Sequence, residues 1–166
     1  MWRMVGLRIL WAPWRAGYVE SAGGGGCIFC DKPRENRDRE NYIVLRGRWA
    51  FVMLNKYPYN TGHVMIAPYR HEGDIGGLTD EEAGEVFELL KTSIKALRRA
   101  FKPDGFNVGL NLGRVAGAGV EGHVHVHVVP RWLGDTNFMP VVADTKVMPM
   151  SLEDVYERLR KVLEDL

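Results

Sequence analysis

The chain has 166 residues, with 22 Lys and Arg against 21 Asp and Glu for a net charge of +1. Such a balance leaves no global field to hold nucleic acid or an anionic membrane surface, and no apolar run approaches the roughly 20 residues of a membrane span. The length suits one domain that buries about two-thirds of its unfolded surface, and two cysteines exclude a disulfide framework and point to a reducing compartment, with the cytoplasm expected.

Residues 1–26 read as an aromatic arm, with Trp2, Trp11, Trp14 and Tyr18, followed by a glycine linker. Arg3 and Arg8 break the apolar stretch a signal peptide needs. Residues 27–166 are expected to form a single domain. Cys27-Ile-Phe-Cys30 opens it, and on its own fits either a redox pair or half of a zinc site. Residues 32–41 read as a solvated charge run. Strands are predicted over residues 42–45 and 49–54 around the turn Arg46-Gly47-Arg48. A loop with Pro58 and Gly62 then leads to a third strand over 63–67.

Thr79-Asp-Glu-Glu82 is a capping box, after which Ala83, Val86, Phe87, Leu90, Ile94, Leu97 and Phe101 recur at helical spacing until Pro103 and Gly105. A fourth strand over 106–112, a glycine-rich turn over 113–122 and a fifth strand over 123–129 follow. Ser151-Leu-Glu-Asp154 caps a last helix with a stripe of Leu152, Val155, Leu159, Val162 and Leu166. Strands, helix and strands in this order predict an α+β fold: an antiparallel five-stranded sheet with one long helix packed on it and a C-terminal helix.

His123-Val-His-Val-His-Val-Val129 is the most informative segment. Side chains alternate with period two in a strand, so His123, His125 and His127 share one face while the valines line the other. Valines suit a buried sheet face, and the histidine face is expected to stand open for substrate. Two readings compete at this point: metal ligation by neighbouring histidines at i and i+2, or catalysis by neutral imidazole, whose reference pKa is about 6.5.

These residues resemble the histidine-triad family of nucleotide hydrolases and transferases. Phe51-Val-Met-Leu-Asn55, Gly62-His-Val-Met-Ile-Ala-Pro68 with His71, residues 107–113 and Gly117-Ala-Gly119 follow in the family's order. Leu10-Trp-Ala-Pro-Trp-Arg-Ala-Gly-Tyr18 and Pro130-Arg-Trp-Leu-Gly-Asp-Thr-Asn-Phe138 look like the branch that includes diadenosine tetraphosphate phosphorylases. Val120-Glu-Gly122 departs from branches that carry Ser or Gln before the triad.

The resemblance implies a nucleotidyl hydrolase or transferase acting at the α-phosphate of a nucleoside phosphate, with a dinucleoside polyphosphate as the expected substrate and phosphorolysis favoured over hydrolysis. His125 takes the place of the nucleophile that forms a covalent histidine-nucleotide intermediate, and His127 and His63 are donors to the phosphoryl oxygens. Asn55 matches the ribose position. Asn111, the backbone of Gly117 and Gly119, and Trp132 complete the nucleotide-binding set, with Arg131 or Arg114 for an acceptor phosphate. Cys27, Cys30, His71 and His123 match the ligands of a structural zinc, and a homodimer or higher homo-oligomer is implied. The alternatives are a nucleoside phosphoramidate hydrolase, a zinc hydrolase with His123 and His125 on a catalytic metal, and a non-catalytic nucleotide-binding module.

Overall fold

The computed structural model describes residues 26–136, 138–143 and 145–166, so the Trp11-Ala-Pro-Trp14 arm lies outside the described residues. The sheet has five strands in the order β1-β2-β3-β5-β4: β1 (Ile43–Arg46), β2 (Ala50–Leu54), β3 (Val64–Pro68), β4 (Gly105–Leu110) and β5 (Val126–Arg131), each pair antiparallel. Among the described residues the α-helices are α1 (Ile28–Arg34), α2 (Asp80–Phe101), a short α3 (Met139–Ala143) and α4 (Leu152–Glu164). The α+β architecture follows from the sequence as expected.

Alternation along the strands builds two cores, one on each face. Val52, Leu54, Val64, Ile66, Val126 and Val128 pack against Leu89, Leu97 and Ala100 of α2 and Val155 and Leu159 of α4. The intervening Phe51, Met53, Met65 and Ala67 face the other way, against Phe29 of α1. The register sets His127 opposite both Met65 and Gly109, so the histidine face of β5 belongs to this second layer.

α2 begins with the capping box, both halves of which form between Thr79 and Glu82. It ends at Lys102, in the left-handed conformation, ahead of Pro103. Its stripe is rotated from the expected one. Leu89, Ser93, Ala96, Leu97 and Ala100 are buried, whereas Ala83 and Phe87 are exposed. Small residues let the helix axis approach the sheet, and the larger Val86, Leu90, Ile94 and Phe101 flank the contact. Glu85 accepts from the backbone N–H groups of Arg48, Trp49 and Ala50, clamping the β1–β2 turn to the helix.

Two expectations need correction. α1 occupies part of the supposed charge run and buries Phe29 and Pro33; a proline in the last turn hides the helical signal, because Pro ordinarily ends a helix. β5 begins at Val126, three residues later than expected, and runs through Pro130. Residues 123–125 leave the ladder for other partners: Val124 N–H donates to the Glu72 carbonyl at 2.6 Å, and the ring of His123 bonds the Pro68 carbonyl.

Candidate active site and metal centre

The histidine layer is covered over His63, His123 and His125, while His127 is half-buried. His63, His123 and His125 are 1, 0 and 5% exposed, and Phe29 lies over the last two with ring centroids 5.2 Å from His123 and 4.6 Å from His125. Phe29 escapes sequence reasoning, although its place between two cysteines is a usable signal: a metal clip there fixes whatever lies between its arms.

Hydrogen-bond chemistry assigns the protons. His125 Nδ1 lies 2.8 Å from the backbone oxygen of His123, and a carbonyl only accepts, so Nδ1 carries the hydrogen and Nε2 keeps the lone pair. At the other end the Tyr59 N–H donates to His63 Nδ1 at 3.1 Å. A neutral His63 then carries its hydrogen on Nε2, which lies 2.9 Å from His127 Nδ1. His127 in turn holds its hydrogen on Nε2. The rings of His125 and His127 are 4.8 Å apart, so a nucleophilic nitrogen and an N–H donor stand side by side.

Burial keeps His63 and His125 neutral. It pushes His63 down to about 3, with His127 and His125 adding like-charge repulsion. Burial also lowers His125, against the opposing effect of the His123 carbonyl.

His123 faces the other way. Its Nε2 donates to the Pro68 carbonyl at 2.8 Å, leaving Nδ1 to face Cys27 Sγ at 3.2 Å and Cys30 Sγ at 3.5 Å. His71 Nδ1 is 3.3 Å from Cys30 Sγ, and the four ligand atoms all lie within 4.8 Å of one another. Zinc bonds of roughly 2.3 Å to sulfur and 2.0–2.1 Å to nitrogen set tetrahedral donors about 3.3–3.8 Å apart, so the cluster fits a metal ion. Burial and the neighbouring Cys27 thiol push Cys30 up to about 11, and a bound cation reverses that by favouring thiolate. The Pro68 carbonyl is the outer partner that fixes a ligating imidazole. With both ring nitrogens of His123 so committed, no catalytic metal shared by His123 and His125 fits.

The remaining predicted residues divide. Asn55 donates its backbone N–H to the His63 carbonyl, which brings it to the histidine layer, while its side-chain oxygen accepts from Tyr57 N–H at 2.9 Å. Asn111 Nδ2 donates to the Gly117 carbonyl at 3.4 Å, tying down the loop that also carries Gly119 and leads to the histidines. Gly117 has φ +88, a conformation that favours glycine. Trp132 is held elsewhere, its indole donating to the Phe101 carbonyl at the end of α2. Arg131 is taken by Asp135 on two bonds and by Asn107. The exposed Arg114 side chain makes no ion pair among the described residues.

An α+β sheet carrying this histidine relay beside a Cys₂His₂ cluster defines a histidine-triad protein. The family model for the HIT domain matches residues 36–132, and the chain belongs to that family. It is 40% identical over 157 residues to the AP-4-A phosphorylase of Mycobacterium tuberculosis, across 89% of this chain and 80% of that protein. A hypothetical histidine triad nucleotide-binding protein from Sulfolobus tokodaii superposes with a TM-score of 0.68 at 27% identity, covering 84% of this chain and 93% of that one. A Zn-bound histidine triad family protein from Mycobacterium smegmatis gives 0.68 at 23% identity, over 84% and 94% of the two chains, and so shares the fold.

Proposed function

We propose that this chain transfers the nucleotide of a dinucleoside polyphosphate through a covalent intermediate on His125. The observation that carries the reading is the 2.8 Å contact from His125 Nδ1 to the His123 carbonyl, which leaves Nε2 as the attacking atom. Nε2 forms a bond to the α-phosphorus while the bond from phosphorus to the bridging oxygen breaks. The leaving polyphosphate keeps that electron pair and takes the proton from His127 Nε2. An acceptor then attacks the phosphorus and gives its proton to His127 Nε2, restoring that imidazole, while the P–N bond breaks and its electron pair returns to His125.

Inorganic phosphate is the acceptor favoured by the AP-4-A phosphorylase relative. Since Arg131 is engaged with Asp135, Arg114 is the cation assigned to hold that phosphate. Asn55 serves the ribose hydroxyls, and Asn111 with the Gly117 and Gly119 backbone serves the phosphates. Zinc fills the Cys27, Cys30, His71 and His123 cluster and ties α1 to the sheet. The active species is a homodimer or higher homo-oligomer in the cytoplasm. Among the described residues no helix is long and apolar enough to cross a membrane.

Product analysis tests the reaction. With diadenosine tetraphosphate and millimolar phosphate the products are ADP and ATP. AMP and ATP at every phosphate concentration makes the chain a hydrolase. Turnover of nucleoside phosphoramidates alone supports the phosphoramidase alternative.

A further inference from the structure

The face of the sheet away from the histidines holds a cavity of about 440 Å³, within the roughly 300–1,000 Å³ typical of small-molecule sites. Its walls come from Asn60 and Thr61 before β3, Phe101 at the end of α2, Trp132 and Asp135 after β5, and Arg158 on α4. Most of its polar groups are spent on one another. Asp135 accepts from Arg131, from Asn60 Nδ2 at 2.8 Å and from Trp132 N–H at 3.2 Å. The Trp132 indole donates to the Phe101 carbonyl at 3.3 Å.

Two groups stand out from that accounting. Thr61 is 6% exposed, and its Oγ1 is the buried side-chain polar atom without a hydrogen-bond partner among the described residues. An unpaired buried hydroxyl is unfavourable, and such groups are rare in folded proteins. The Arg158 guanidinium lies 5.4 Å from the centre of the Phe101 ring and forms no ion pair among the described residues. With the one carboxylate of the wall already neutralised by Arg131, the charge offered to an occupant is positive.

We propose that this cavity binds a small planar aromatic anion, its ring against Trp132 and Phe101, its anionic group on Arg158 and a polar atom on Thr61 Oγ1. Aromatic walls hold a flat ring by stacking, and an arginine fork gives a carboxylate two charge-assisted bonds. The proposal does not depend on the reaction at His125.

The test is a calorimetric titration of the full-length, metal-replete protein with 1-naphthoate, and with neutral 1-naphthamide as the matched control. Saturable one-to-one binding of naphthoate is expected, with naphthamide at least about tenfold weaker, as loss of a hydrogen bond to a charged group implies. Arg158→Met, on an exposed helix position, should weaken naphthoate by a similar factor. Thr61→Val should weaken it too while raising Tm, because the variant removes an unpaired hydroxyl. Absence of saturable binding, equal affinity for naphthamide, or unchanged affinity in Arg158→Met would overturn the proposal. None of these outcomes bears on nucleotidyl transfer, since the titration contains no catalytic step.

Discussion

The backbone oxygen of His123 accepts from His125 Nδ1 at 2.8 Å, while the imidazole of the same His123 turns Nδ1 to the two thiols. One residue therefore serves the Cys27, Cys30 and His71 cluster with its ring and His125 with its carbonyl. Phe29 adds a second connection, because the Cys27-to-Cys30 clip delivers its ring to His125. The Cys₂His₂ cluster and the placement of His125 are mechanically joined.

Removing the metal should loosen α1 first. Cys30→Ser is expected to lower bound zinc to well below one per chain and stability by about 2 kcal/mol, or roughly 4–8 °C in Tm. Elemental analysis and a thermal melt check both. A full complement of zinc in this variant would contradict the ligand assignment.

His125→Ala should abolish turnover. Because the ring is 5% exposed and packed on Phe29, the variant should also lose about 1–3 kcal/mol of stability through the cavity it leaves. An open histidine face would predict no such loss. Denaturant unfolding of the variant and the wild type measures the difference.

His127 is assigned as the donor to the leaving group, so the cost of His127→Ala should depend on that group. Turnover of diadenosine tetraphosphate should drop by about 10²–10⁴. A nucleoside 5′-phosphate ester of p-nitrophenol, which leaves without a proton, should be affected far less. Equal losses on both substrates would remove His127 from the acid role.

Stability should fall on acidification through the window set by His63. Unfolded, its imidazole takes up a proton near pH 6.5; folded, burial delays that to about 3. Between those values the unfolded chain binds more protons, so this group's contribution is full above about pH 6.5 and declines by up to about 1.4 kcal/mol per pH unit below it. Chemical denaturation of wild type and His63→Ala from pH 7 to 4 should show the steeper decline in the wild type.

Much of this was legible in the sequence for a physical reason: period-two alternation in residues 123–129 and the Thr79–Glu82 capping box are local signals. The Cys27, Cys30, His71 and His123 grouping was legible only through resemblance, since His123 lies 93 positions after Cys30. Tertiary context decided what was missed. The exit of residues 123–125 from the ladder depends on the Pro68 and Glu72 carbonyls, and the proton assignment of His63 rests on the backbone N–H of Tyr59. Pro33 concealed α1 and with it the cover that Phe29 places over the triad.

The most direct test is to quench the wild type during turnover of diadenosine tetraphosphate labelled at the α-phosphate and map the modified residue by mass spectrometry. An acid-labile nucleotidyl group on Nε2 of His125, absent from His125→Ala, is the predicted result. Label on His127 or His63, or rapid turnover with no labelled histidine at any quench time, would contradict covalent transfer through His125.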